Sequence, residues 1–295
     1  KAKIEGILPK EFAFKKDAVK KEYVWAPIKF EKYVDRCSEE IRKQFGNPNM
    51  SRLEMLDALA FGNFEAHKKK SLQLMKDGNV HGLAITVFNH NRPVYEKVFG
   101  YKRFDTKEPL QTNTNIYGAS LSKAVFAVLA MKMVEEKIIE LDKPLEGYLP
   151  QPVYTYGKGS SWNQDYTSLQ VDTLYQKITA RMCLDHSSGF PNWRWYELDQ
   201  KLRVHFQPGT AYSYSGEGLC YLQFVLEKIT GKSLQQLMEE KIFHPLQMNT
   251  SAYFWQPRFE ANYCYGHAAD NKIYEKDKDN APRSASTLET TPDDY

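Results

Sequence analysis

Apolar and polar positions follow two different periods along the chain, helical and strand-like, and each period predicts a different element. Residues 1–30 have no period: Lys and Glu mix with Phe, Tyr and Trp around Pro9 and Pro27, which predicts an extended arm. Phe30, Tyr33, Val34, Cys37 and Ile41 recur at helical spacing from Lys29 to about Phe45, and Gly46-Asn47-Pro48 stops that helix. A second helix is expected from about Arg52 towards Met75, with Lys68-Lys69-Lys70 as a solvated face. After Asp77-Gly78 the period changes. Val80 to Phe88 is a β-rich run, Asn89-His90-Asn91-Arg92 is a turn, and Val94 to Phe99 is a second run, together a hairpin.

Between Ala124 and Val134 only Lys132 is polar, the pattern of a buried central helix. That helix is expected to continue through Glu135-Glu136-Lys137 and to end near Leu141-Asp142-Lys143-Pro144, where proline forbids continuation. Val153 to about Tyr166 reads as a long loop, Ile178 to His186 as a short helix stopped by Ser187-Ser188-Gly189, and Asn192 to Tyr196 as an aromatic cluster without period. Leu219 to about Ile229 predicts a helix closed by Gly231, Leu234 to Ile242 predicts another, and residues 265–270, 275–280 and 284–295 read as loops. Strands ahead of a buried helix imply a sheet packed against it. No internal repeat is present.

Composition narrows the class. With 42% hydrophobic, 26% charged and 14% aromatic residues, the 295-residue chain is globular and large enough for one large domain or two. A net charge of +3 without a concentrated basic face argues against a nucleic-acid partner. No apolar stretch reaches the length of a membrane span. Cys37, Cys183, Cys220 and Cys264 are scattered, with no C-x-x-C, and leave the redox compartment open. His81, His205, His244 and His267 lack metal-ligand spacing, so neither a metal nor another cofactor is expected. The chain begins at Lys1, from which removal of its front by processing or design is expected.

The chemistry concentrates in Tyr117-Gly118-Ala119-Ser120-Leu121-Ser122-Lys123, which has the form S-x-x-K. Three positions apart on a helix, Ser120 and Lys123 lie on one face, near enough for a hydroxyl and an amine to share a proton. At a helix start, unpaired N–H groups and the dipole favour negative charge developing on the serine. A lysine at the head of a buried helix is costly without a partner or a task. The bland alternative is that Lys123 snorkels to solvent while Ser120 caps the helix.

In order, Val80-His81-Gly82-Leu83, Gly118 to Lys123, Leu184-Asp185-His186-Ser187-Ser188-Gly189-Phe190-Pro191, Phe206-Gln207-Pro208-Gly209 with Tyr212-Ser213-Tyr214-Ser215, and Ser286-Thr287 with Thr291 to Tyr295 resemble the serine β-lactamase and penicillin-recognising family. The resemblance is strongest to its class C branch with the related D-amino-acid peptidases and esterases, and spans roughly residues 65–295. It implies a mixed α/β (α+β) fold, an antiparallel sheet covered by helices. Residues 1–60 are then an arm and helix of unknown role, 61–295 the hydrolase domain, and 140–265 its helical subdomain.

The resemblance makes Ser120 the nucleophile, Lys123 its proton partner and Tyr214 the catalytic tyrosine, its phenol acidified by Lys123. The implied reaction is acyl-enzyme hydrolysis of an ester, amide or β-lactam-like carbonyl in a small-molecule or peptide substrate, in an extracytoplasmic location. The alternative is a protein of this fold that binds a ligand or partner without turnover. Two departures bear on this. Gly216 stands where the family's Tyr-x-Asn motif has asparagine, so an amide substrate loses its hydrogen-bonding side chain, and Glu217 is expected to fill part of that space. The pair Gly216 and Glu217 is thus the candidate substrate contact, and the change tilts the expectation towards an esterase or peptidase-like hydrolase. No Lys/His-Thr/Ser-Gly tripeptide follows Tyr214, from which a truncated C-terminus is expected. His186 is expected to be structural.

Overall fold

The computed structural model describes residues 15–16, 23–24, 38–44, 48–51, 54–55, 64–89, 91–159 and 161–295. These belong to two compact units, one running up to Gln111 with Ala269–Lys272, the other comprising Thr112–Ala268 and Ile273–Tyr295.

In the first unit, β1 (Lys15–Lys16) pairs with β2 (Tyr23–Val24), and α1 (Ser38–Gln44) and α2 (Phe64–Asp77) occupy parts of the two predicted helices. The remainder of those predicted helices lies outside the described residues, apart from Glu54–Met55. The hairpin is present: β3 (Gly82–Asn89) pairs antiparallel with β4 (Arg92–Arg103), with a bulge at Val87/Phe88. A short third strand, β5 (Glu108–Pro109), pairs with the end of β4.

The second unit is organised around α3 (Ser122–Glu135), whose Phe126, Leu129, Ala130 and Met133 are fully buried. Ahead of it runs β6 (Ile116–Ala119), paired antiparallel with β9 (Leu288–Thr290), a strand that the sequence presented as loop. Gly118 permits this approach: a Cβ there would meet the Leu288 carbonyl oxygen at 3.1 Å. The helix stops earlier than predicted, at Glu135. Lys137 takes a left-handed φ of 59°, its N–H bonds Val134 O and the Ile138 N–H bonds Met133 O, so the last carbonyls are satisfied by a Schellman turn well before Pro144.

The expected loop from 153 to 166 carries several 3-10 turns, which continue to Lys177. They pack buried Val153, Tyr166, Leu169 and Tyr175 into the core. Next come α4 (Ala180–Leu184), with Thr179 as its N-cap, and α5 (Gly216–Thr230), capped by the Ser215 hydroxyl and closed by Gly231 at φ 67°. Every residue of α5 from Gly216 to Leu226 is buried, so the helix runs through the core rather than over it. Then α6 (Leu234–Met238) opens on a Ser233–Gln236 capping box and continues as a π-turn over Glu239–Phe243, where one longer helix was expected. The remaining strands, β7 (Gly266–His267) and β8 (Ile273–Tyr274), pair antiparallel.

Candidate active site

Ser120 sits in the turn between β6 and α3, exposed to solvent. Ala119 immediately before it holds a left-handed φ of 43°, a conformation that costs a non-glycine residue about 1 kcal/mol or more. The turn is tied down from several sides. The Leu121 N–H bonds Gly118 O at 2.8 Å and the Lys123 N–H bonds Ser120 O at 3.2 Å. Ser122, fully buried, donates its hydroxyl to Ala119 O and accepts the Leu288 N–H at 2.9 Å, while the Tyr253 hydroxyl donates to Ser122 O at 2.6 Å. Strand β9 thereby fixes the start of α3. Ser120 is not the helix cap, because Leu121 occupies that position.

Lys123 does not snorkel. Its side chain is buried, and Nζ donates to Ser120 Oγ at 3.1 Å and to Ala285 O at 2.7 Å. The carbonyl anchors the amine, leaving it directed at the serine. Tyr214 closes the group: Lys123 Nζ lies 4.8 Å from the centre of its ring. Partial burial pushes the phenol's pKa up, but the hydrogen bonds with Lys123 and Ser120 and the lysine charge outweigh it and hold the pKa below its ordinary value. The structure therefore brings Ser120, Lys123 and Tyr214 together, although 94 positions separate the serine from the tyrosine in the sequence.

His186 clamps the tyrosine's backbone. Its carbonyl accepts the Ser213 N–H at 2.8 Å, and its Nδ1 accepts the Ser215 N–H at 3.1 Å, one bond on each side of Tyr214. Its ring lies 4.6 Å from the Tyr214 ring. Accepting at Nδ1 requires that nitrogen to be unprotonated, and burial together with the nearby Lys123 charge lowers the imidazole pKa in keeping with this.

Gly216 and Glu217 turn out differently from expectation. A Cβ on Gly216 would meet three ring carbons of Trp193 at 2.6–2.8 Å, so the Trp193 indole, not Glu217, fills the space beside that position. Glu217 is completely buried and its carboxylate is consumed by Arg194: Oε1 accepts the Arg194 backbone N–H and Nε, both at 2.9 Å, and Oε2 accepts Nη2 at 2.7 Å. Arg194 also donates to the Asp165 and Asn163 carbonyls. Asn192 completes the frame by accepting the Gly216 N–H at 3.0 Å and the Glu217 N–H at 3.1 Å on its carbonyl.

Sequence reasoning missed Trp193, Asn192, Arg194 and Ala285 as site-builders. The periodless aromatic cluster signalled the first, while a backbone carbonyl and an ion pair 23 positions apart leave no local trace. Among the described residues no three His, Cys, Asp or Glu side chains converge to hold a metal, and no helix is long and apolar enough to cross a membrane.

Known proteins bear the likeness out. Lovastatin esterase of Penicillium rubens is 29% identical over 184 residues, covering 55% of this chain and 45% of the relative. Penicillin-binding protein 4* of Bacillus subtilis is 27% identical over 200 residues, 60% of this chain and 40% of the relative. The chain thus spans less than half the length of these two relatives. Among solved structures, the D-alanine carboxypeptidase AmpC of Burkholderia cenocepacia matches with a TM-score of 0.61 at 22% identity, covering 77% of this chain and 60% of that one. EstCE1, a hydrolase with promiscuous acyltransferase activity, matches with a TM-score of 0.62 at 19% identity, covering 77% and 68%. These neighbours share the β-lactamase-like fold of mixed helices and antiparallel sheets. The family model described as beta-lactamase matches residues 69–295, the stretch that holds Ser120, Lys123 and Tyr214, and the chain belongs to that family.

Proposed function

We propose that this chain carries the nucleophilic centre of a serine hydrolase working through an acyl-enzyme, with esters favoured over amides. The observation that carries the reading is Lys123 Nζ at 3.1 Å from Ser120 Oγ, with the Tyr214 ring 4.8 Å from the same amine and its phenol held below the ordinary pKa. Ser120 Oγ attacks the substrate carbonyl carbon, and its proton passes to the Tyr214–Lys123 pair. The Ser120 backbone N–H supplies half of an oxyanion hole for the tetrahedral oxygen. The pair returns the proton to the leaving alcohol, leaving an ester on Ser120, and water attacks that ester by the same route to release the acid.

The preference for esters rests on Gly216. An asparagine there would accept and donate hydrogen bonds to a substrate amide, whereas glycine backed by Trp193 does neither. The substrate is a small molecule or peptide derivative bearing an ester, and an extracytoplasmic location belongs to the same reading.

The test is hydrolysis of p-nitrophenyl acetate by the intact protein and by Ser120→Ala and Lys123→Met. Both variants are expected to lose at least about a thousandfold in kcat/KM. Retained activity in Ser120→Ala overturns the reading. A wild-type protein that forms a covalent adduct on Ser120 but releases no product supports ligand capture without turnover instead.

A further inference from the structure

We propose that Trp193 is the specificity-determining wall of this centre and selects a flat apolar acyl group beside the scissile carbonyl. The inference rests on the serine hydrolase reading and adds the substrate class. A Cβ on Gly216 would come within 2.6–2.8 Å of the indole carbons Cη2, Cζ2 and Cζ3, a separation that real side chains do not tolerate. Position 216 is thus glycine because the indole stands against it. The same ring lies 5.9 Å from Lys123 Nζ, the amine that reaches Ser120 Oγ at 3.1 Å, so the wall stands beside the nucleophile's proton partner.

Trp193 is held rigidly. Its neighbour Arg194 is locked by both oxygens of buried Glu217, Asn192 is bonded to the first turn of α5, and Trp195 stacks on the Trp193 ring at 4.8 Å and 16°. Trp162 adds an edge-on contact at 5.6 Å. A preorganised indole offers a broad apolar face, one N–H donor and no acceptor. An amide N–H laid against that face finds no acceptor there, at a desolvation cost, whereas an aryl or other flat apolar group stacks. The aromatic surface also continues outward. Trp162 and Trp195, 38% and 43% exposed, extend the aromatic surface that begins at Trp193.

The test compares p-nitrophenyl phenylacetate with p-nitrophenyl acetate, which share a leaving group and differ only in the acyl side. Wild type is expected to favour phenylacetate in kcat/KM by about tenfold or more, and Trp193→Ala to lose about tenfold of that ratio, chiefly through KM. Trp193→Phe keeps most of the ratio and Trp193→Leu, which is apolar but smaller and not flat, does not. A second arm needs no stable alanine variant at 193. Gly216→Ala is expected to cost about tenfold in wild type and little in Trp193→Leu, because the contact it offends has gone. An unchanged ratio in Trp193→Ala and Trp193→Leu, or additive effects of the 216 and 193 changes, overturns this inference while the hydrolase reading stands. Absence of any ester turnover in wild type sinks both.

Discussion

Replacing Glu217 by alanine is expected to be among the most destabilising single changes in the second unit, and the structure supplies the size of the effect. Glu217 is fully buried and Arg194 is 6% exposed, so neither charge has water to fall back on. Removing the carboxylate deletes three hydrogen bonds, at 2.9, 2.9 and 2.7 Å, and leaves a buried guanidinium with only two backbone carbonyls. Breaking a buried ion pair from one side costs about 3–5 kcal/mol. For a unit of this size each kcal/mol lowers Tm by roughly 2–4 °C, so a fall of about 6–20 °C is expected.

Urea and thermal unfolding of wild type, Glu217→Ala and Glu217→Gln measure this directly. Glutamine keeps one oxygen for Oε1's two donors and is expected to fall between the other two. The paired change Arg194→Met with Glu217→Leu should recover at least half of the loss, since replacing both ions with apolar groups removes the stranded charge. A cost below about 1 kcal/mol for Glu217→Ala would refute the reasoning that this carboxylate holds Arg194, and with it the rigidity ascribed to Trp193.

Two further outcomes follow from the geometry. Tyr214 is held below the ordinary tyrosine pKa by its hydrogen bonds with Lys123 and Ser120 against the opposing effect of burial, so kcat/KM should rise with pH through an ionisation below 10. Tyr214→Phe should abolish that rise and lower kcat/KM by about a hundredfold to ten-thousandfold, and a rise that survives the substitution contradicts the assignment. Leu129, fully buried on α3, should cost about 2–5 kcal/mol when cut to alanine, and denaturant unfolding checks it. A loss below about 1 kcal/mol would contradict the burial of this helix face.

The sequence made the local parts of this molecule legible. The hairpin of β3 and β4 shows in its β-rich runs, the start of α3 in its apolar run, and α5 in its apolar run from Leu219 and its Gly231 stop. What it hid is non-local. Strand β9 is three residues long and becomes a strand only by pairing with β6, some 170 positions earlier, so no period marks it. The end of α3 was misread because Pro144 is a loud signal, whereas Lys137 adopts a left-handed φ that lysine's identity does not announce. At the site, Ser120 and Lys123 were readable from spacing, and Tyr214 only through family likeness. Glu217 reads as a substrate contact because it follows Gly216, where the family's asparagine is missing. Its partner Arg194 lies on another segment, and burial turned the pair inward.

The central claim is that Ser120 is the nucleophile and Lys123 its activator. Incubating the intact protein with a fluorophosphonate, and separately with a fluorescent penicillin, followed by peptide mapping of the adduct, tests it most directly. The expected result is one fluorophosphonate adduct per chain on Ser120, absent from Ser120→Ala and formed much more slowly in Lys123→Met. Adducts on a different residue, or no labelling by either reagent, would contradict the account.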